Sequence, residues 1–549
     1  MKRYLFFFCC VIFQRISNAQ NAPGYYYVSF TDKAGTPYST SFPQAFLSEK
    51  SIERRLKWGI PITEQDLPVN PTYVQNVLSA TGGSLHHSSK WFNSMTLSLV
   101  GLDSVATAQA LTALEAMPFV LNVKKNAPDI SKISREKPNT QVKELYHPDS
   151  SDYGVSFHQL DMINLPRLHA FGMEGEGMDI AVLDAGWIGL DTQPAFETLR
   201  NSGRLIATRD FVHPSNPDVF EGSYHGTYVL GHMAGIIQDS LRGSAPLANY
   251  FLMQTENTAS EYRIEEDNWV AAIELCDSLG IDVVNSSLGY SLFDDTTMNY
   301  TPADMNGDVS RASIAADIAA SKGLLIVNSA GNSGNSDWYH ITAPSDADSI
   351  LCIGAVDYWG EHAGFSSYGF ENGESVKPNI AAMGRLTYFP GPNGYLAQGS
   401  GTSFSSPIIA GAVTCLWQAF PDKSNMEIIH AVEQSASLYP HHNTALGYGI
   451  PDFWKAYLLL NNATKLPNKL IEMIFPNPAA EVLHVKTTGS PILGYRIISM
   501  HGQVLENYTW LEAWKGNYLD ITVKGLPIGE YLLELSTEAG TLCTPFQKF

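Results

Sequence analysis

The 549 residues include 34 Lys and Arg against 55 Asp and Glu, a formal charge of −21, with 44% hydrophobic and 16% charged residues. That length exceeds one ordinary domain and points to about three or four units, and the apolar content excludes a disordered chain. The acidity excludes a nucleic-acid binder, because a phosphate backbone is met by clustered Lys and Arg.

The chain begins with Lys2 and Arg3, an uncharged apolar run from Leu5 to Phe13, and the small residues of Ser17-Asn18-Ala19. This is the pattern of a cleaved signal peptide over 1–19; about nine apolar residues cannot cross a ~30 Å hydrocarbon core. No later run is apolar for long enough to span a bilayer, so no transmembrane segment is expected in the mature chain.

Residues 20–125 alternate in period. Strands are expected at Tyr25–Phe30, Met95–Val100 and Val120–Val123, and helices at Phe46–Trp58 (rich in Lys, Arg and Glu), Pro71–Leu78 and Val105–Met117. Elements in this order make a small α+β unit. Residues 126–152 are rich in Lys, Glu, Ser, Asn and Pro, an exposed linker suited to proteolytic processing.

From 153 to 460 apolar strands alternate with helices. Asp179–Leu183, Ile281–Ser286, Gly323–Asn328 and Ile350–Val356 are continuous apolar runs, as expected for strands buried on both faces of a mostly parallel central sheet, and Ile264–Leu279 is a crossover helix. The fold class is therefore α/β, a layered domain. After a short linker at 461–470, residues 471–549 carry short strands at Val482–Val485, Tyr495–Ser499, Tyr518–Val523 and Glu530–Leu535 between turn residues, as in a small all-β sandwich. Cys276, Cys352, Cys415 and Cys543 are scattered without metal-ligand spacing and are expected as buried apolar thiols.

Three segments carry chemistry. Asp184 ends an apolar strand at the edge where α/β folds place their sites, though alone it reads equally as a turn cap. His225 opens a helix with small residues at Gly226, Gly231, Ala234 and Gly235, and His232 is its rival. Gly401-Thr402-Ser403-Phe404-Ser405-Ser406-Pro407 enters an apolar helix, with Pro407 expected in its first turn. Ser403 then lies where backbone N–H groups and the dipole favour an oxyanion, with Ser405 and Ser406 as competitors.

The order Asp, His, Ser is that of subtilisin, and D-A-G, H-G-T-x-V-x-G-x-x-A-G and G-T-S-F-S-S-P resemble the three signatures of the subtilase family. Ala185 stands where the commoner motif has Thr or Ser. The resemblance covers about Gln159 to Tyr457, including G-Y-G-I-P-D at 447–452. It implies a subtilisin-like domain, peptide hydrolysis by Asp184, His225 and Ser403, and protein or peptide substrates. Ser329-Ala330-Gly331-Asn332 is similar to the family segment whose Asn donates to the oxyanion, here Asn332. Asn285-Ser286-Ser287-Leu288-Gly289 is similar to the strand that pairs with extended substrate, so Ser287, Leu288 and Gly289 would line one wall of the cleft and Ala330 and Gly331 the other.

The amino-terminal unit then resembles a subtilase propeptide, a partner that keeps the enzyme as a zymogen. The carboxyl-terminal unit, with Ile474-Phe475-Pro476-Asn477-Pro478-Ala479, Gly502-Gln503-Val504-Leu505 and Leu526-Pro527-Ile528-Gly529-Glu530-Tyr531, resembles the type IX secretion sorting domain of Bacteroidetes, which implies a secreted or cell-surface protein handled by that machinery. No cofactor is required. Asp304-Met305-Asn306-Gly307-Asp308 alternates oxygen side chains around a Gly as a Ca²⁺ loop does, but no acid follows at the twelfth position; a solvated loop is expected and no metal ligand is assigned. Two rivals remain: a catalytically silent surface-binding protein on this fold, and an esterase, whose Ser would sit in a G-x-S-x-G elbow that Gly401-Thr402-Ser403 does not continue.

Overall fold

The computed structural model describes residues 22–130, 153–371, 375–463, 471–487, 492–499, 504–514, 518–537 and 540–549. The expected signal peptide and most of the expected processing linker lie outside them.

The amino-terminal unit is an antiparallel sheet ordered Ser84–Ser89, Ser94–Ser98, Gly24–Phe30, Val120–Pro128. Alternation along Gly24–Phe30 turns Tyr26 and Val28 to a core with Met95, Leu97, Val77 and Leu114, beneath helices Pro71–Thr81 and Ser104–Glu115. The strand Ser84–Ser89 escaped the sequence reading because S-L-H-H-S-S has no apolar alternation. Its polar side chains meet a polar partner: His86 Nε2 lies 3.2 Å from Asn268 Oδ1, and His87 Nε2 lies 2.7 Å from the Phe211 carbonyl. The last strand runs to Pro128, and Asn126, expected in an exposed linker, is buried with its amide on Asp267. The basic helix begins at Glu49 rather than Phe46, because Ser48 accepts from Ser51 N and caps it.

The central unit holds seven parallel strands, ordered Ile380–Met383, Leu351–Val356, Leu325–Ser329, Val283–Ser286, Asp179–Asp184, Asn249–Gln254, Leu205–Asp210. Ile180 and Val182 face one core cluster, with the helices His225–Ala234 and Thr402–Ala419; Ala181 and Leu183 face the other, with Ile264–Leu279 and Arg311–Ser321. Burial on both faces explains the unbroken apolar runs. Cys276, Cys352 and Cys415 are buried free thiols, as expected.

The carboxyl-terminal unit is two antiparallel sheets, ordered Ile471–Phe475, Val482–Thr487, Tyr518–Thr522 and Val504–Trp514, Ile492–Ser499, Gly529–Thr537, Gly540–Lys548. Leu483, Val485, Ile497, Ile521, Leu533 and Phe546 fill the space between them. Ile498 and Leu532 turn the other way, into a core cluster of the central unit. Among the described residues no helix is long and apolar enough to cross a membrane.

Candidate active site

Asp184 is fully buried at the carboxyl end of its strand, and its Oδ1 accepts from Ala185 N at 2.7 Å. The next residues turn through Gly186 (φ +122°), and the helix beginning at His225 abuts that turn. Close approach is possible because residue 226 is Gly: a Cβ there would lie 2.9 Å from the Trp187 ring. The packing brings His225 Nδ1 to 2.9 Å from both oxygens of Asp184. The His225 side chain stays 35% exposed above a wholly buried carboxylate, so its ring reaches the open edge of the sheet.

Ser403 is the second residue of the helix Thr402–Ala419, in the turn whose backbone N–H groups have no intrahelical acceptor. Its Oγ lies 3.4 Å from the Ser287 carbonyl. The competitors point elsewhere: Ser405 Oγ donates to the Thr402 carbonyl at 3.1 Å and Ser406 Oγ to Asn285 Oδ1 at 2.9 Å, both buried. Pro407 lies in the second helical turn, not the first as its sequence position suggested. Having no N–H, it leaves the Ser403 carbonyl without a helical donor, and the Ser287 hydroxyl fills that role at 3.1 Å.

The rival His232 lies inside the protein. Its Nδ1 faces the Tyr228 carbonyl at 2.8 Å and its Nε2 the Thr387 hydroxyl at 3.0 Å. Burial pushes its pKa down to about 4, and does the same to His169. An unfolded imidazole titrates near ~6.5, so below that pH the unfolded chain takes up protons that these two rings refuse. Their stabilising contribution is full above ~6.5 and is lost as pH falls towards 4, by up to about 1.4 kcal/mol per pH unit per ring. Denaturant titrations of the chain and its His232→Gln variant at pH 7 and pH 5 should show the smaller acid loss in the variant.

Asn332 follows the strand Leu325–Ser329. Its Oδ1 accepts from Thr402 N at 2.9 Å and from the Thr402 hydroxyl at 3.0 Å, and that hydroxyl accepts from Gly331 N at 3.2 Å. With its oxygen engaged, the amide NH₂ is the end left for an incoming acceptor. Ser287–Gly289 and Ala330–Gly331 leave the ends of two adjacent parallel strands. The Ala330 methyl is buried with Ile341 and Cys352, so its side chain faces away from any ligand and only its backbone is available.

Sequence reasoning missed Thr342. A Cβ on Gly289 would collide with its Oγ1, and one on Gly331 would come within 3.2 Å of it. The side chain therefore sits between these two segments, and among the described residues its buried Oγ1 has no hydrogen-bond partner. I-T-A-P carries no motif; only the topology brings it here. Asp304 accepts from Thr301 N and Oγ1, each at 2.7 Å, as a local cap, and Gly307 N donates to Asp346 at 2.9 Å.

Residues 175–449 match the family model described as the subtilase family, 25–143 that of the peptidase S8 propeptide domain of Bacteroidota, and 473–546 that of the secretion system C-terminal sorting domain. Subtilisin NAT of Bacillus subtilis subsp. natto is 24% identical over 367 residues, 66% of this chain and 80% of that protein. Subtilisin BL of Lederbergia lenta is 27% identical over 279 residues, 51% of this chain and 90% of its own length. Fervidolysin from Fervidobacterium pennivorans, described as a keratinolytic enzyme related to subtilisin, shares the fold with a TM-score of 0.52 at 16% identity, covering 94% of this chain and 87% of that one.

Proposed function

The chain belongs to the subtilase family of serine endopeptidases, and from that premise we propose that Asp184, His225 and Ser403 are its catalytic triad, made in zymogen form and exported for work outside the cell. The observation that carries the reading is His225 Nδ1 held 2.9 Å from both oxygens of a buried carboxylate at the sheet edge that also holds Ser403. A buried carboxylate so placed selects the tautomer with its proton on Nδ1, leaving Nε2 as the base.

Ser403 attacks the scissile carbonyl as His225 takes its proton, and Asp184 stabilises the imidazolium. Asn332 Nδ2 and the Ser403 N–H receive the oxyanion. His225 then protonates the leaving amine, and water repeats the cycle on the acyl-enzyme. Substrate enters as an extended strand between Ser287–Gly289 and Ala330–Gly331, through backbone pairing. Turnover of casein by the processed protein, absent from Ser403→Ala, tests this assignment.

Thr342 sets the depth of the specificity pocket in this reading, because it fills the gap between the walls. Short side chains are favoured before the scissile bond. Thr342→Gly is expected to shift preference towards Phe or Tyr at that position by about tenfold or more in kcat/KM, the scale of a few methylenes of pocket space. A panel of peptides differing only there measures the shift.

The propeptide unit is an internal partner that holds the enzyme silent until it is removed. The signal peptide and the sorting domain direct the chain across the inner and outer membranes by the type IX route. Loss of export on deletion of 471–549, read as the extracellular fraction, checks the second step.

A further inference from the structure

The propeptide helix Glu49–Trp58, E-K-S-I-E-R-R-L-K-W, takes no part in the proposed chemistry. It lies where the central strands begin, on the edge opposite the triad. Lys50 Nζ bridges Asp179, the first residue of its strand, at 2.5 Å and Asp282, which precedes the next strand, at 2.7 Å. Arg54 donates to the Ile281 carbonyl at 2.6 Å. Arg55 and Lys90 meet Asp277 at 2.9 and 3.0 Å, with Arg54 at 3.4 Å, all buried. Burial alone would raise the Asp277 pKa, but Lys90, Arg55 and Arg54 hold it below the usual carboxylate range.

The far end is apolar. Trp58 stacks on Trp417, in the last turn of the helix that carries Ser403, with ring centroids 5.9 Å apart and planes at 19°, while Lys57 reaches Asp422 at 3.3 Å. Two glycines of the central unit make room. A Cβ on Gly280 would lie 2.7 Å from Ser51 N, and one on Gly323 would lie 3.0 Å from the Trp58 ring. Four acids of one unit thus face five bases of the other, four of them on this helix, and the backbone at Gly280 and Gly323 comes into close contact with the helix.

We propose that the catalytic unit carries a second docking surface for its propeptide, remote from the cleft, bounded by Asp179, Asp277, Asp282 and Trp417, whose ligand is the basic helix 49–58. The inference rests on the propeptide match of residues 25–143. The propeptide is then a two-point ligand: its sheet lies on the helices Ile264–Leu279 and Arg311–Ser321, and this helix holds the strand-start edge and the carboxyl-terminal end of Ile264–Leu279, where Asp277 sits. Each contact raises the effective concentration of the other, so loss of the helix contact should speed release of the amino-terminal piece once the chain is cut.

The test uses the full chain with Ser403→Ala, so catalysis plays no part in the outcome and failure of the triad assignment would leave it standing. A recognition sequence for a site-specific protease is placed between residues 131 and 152, the chain is cut, and the dissociation rate of the amino-terminal piece is followed by size-exclusion chromatography. The parent pieces should co-elute. Arg54→Ala with Arg55→Ala should speed release by about 100-fold or more, because it strips the buried Asp277 of two partners. Lys50→Ala with Trp58→Ala, which spares that buried cluster, should speed release roughly tenfold. Should the first pair fail to fold, the second decides alone. Release of the second pair at the parent rate overturns the proposal.

Discussion

Ser403→Ala is expected to abolish casein turnover by the processed enzyme, lowering kcat on the order of 10⁶-fold, the scale at which a Ser-His-Asp unit loses its nucleophile. The fold should survive the change: among the described residues Oγ makes one long contact, 3.4 Å to the Ser287 carbonyl, while the Ser403 carbonyl keeps its bond from the Ser287 hydroxyl. Unchanged melting with lost activity is therefore the expected pair of readings. A fluorophosphonate probe should label the parent on Ser403 and leave the variant unmodified. Label on Ser405 or Ser406 would move the nucleophile, against their buried bonds to Thr402 and Asn285. Asp184→Asn should cost about 10⁴-fold, because an amide at that position can hold the wrong tautomer of His225. Combining it with Ser403→Ala should add little, since the residues act as one unit.

Asn332→Asp is the second large effect, a fall of at least 10²–10³-fold in kcat with little change in KM. The amide does two jobs with its two ends. Its oxygen accepts from Thr402 N and Oγ1 and so ties the strand-end loop to the head of the Ser403 helix; in the proposed mechanism its NH₂ meets charge that develops only in the transition state. Asp keeps the first function and removes the second, adding a negative charge where the oxyanion forms. Asn332→Leu removes both and should lower stability as well, because Thr402 N loses its acceptor. Equal kcat in Asn332→Asp and the parent would remove Asn332 from the mechanism.

Four of the seven strands of the central sheet were named from the chain, because segments such as Ile180–Leu183 and Leu325–Val327 are buried on both faces and continuous apolar runs record that directly. Ser84–Ser89 was not legible. A polar strand whose side chains bond a neighbouring helix has no periodicity of its own to show. The strands 471–475, 504–514 and 540–548 were passed over because I-E-M-I-F, V-L-E-N-Y-T-W-L-E-A-W and G-T-L-C-T-P-F-Q-K keep no sustained apolar alternation.

Of the triad, the residue types, their order and the small residues around them were present in the chain from the start, since close backbone approach at Gly226 demands glycine wherever it occurs. What the sequence by itself determined was thus the fold class, the family signature and the candidates Asp184, His225, Asn332 and Ser403. Tertiary structure alone decided which candidates face one another. It buried His232 against Tyr228 and Thr387, gave the Ser403 carbonyl to Ser287, set Thr342 between two glycine walls, and laid the basic helix 49–58 on the start of the sheet. The physical reason is that periodicity reports which side of an element is buried, while the partner on that side comes from another part of the chain.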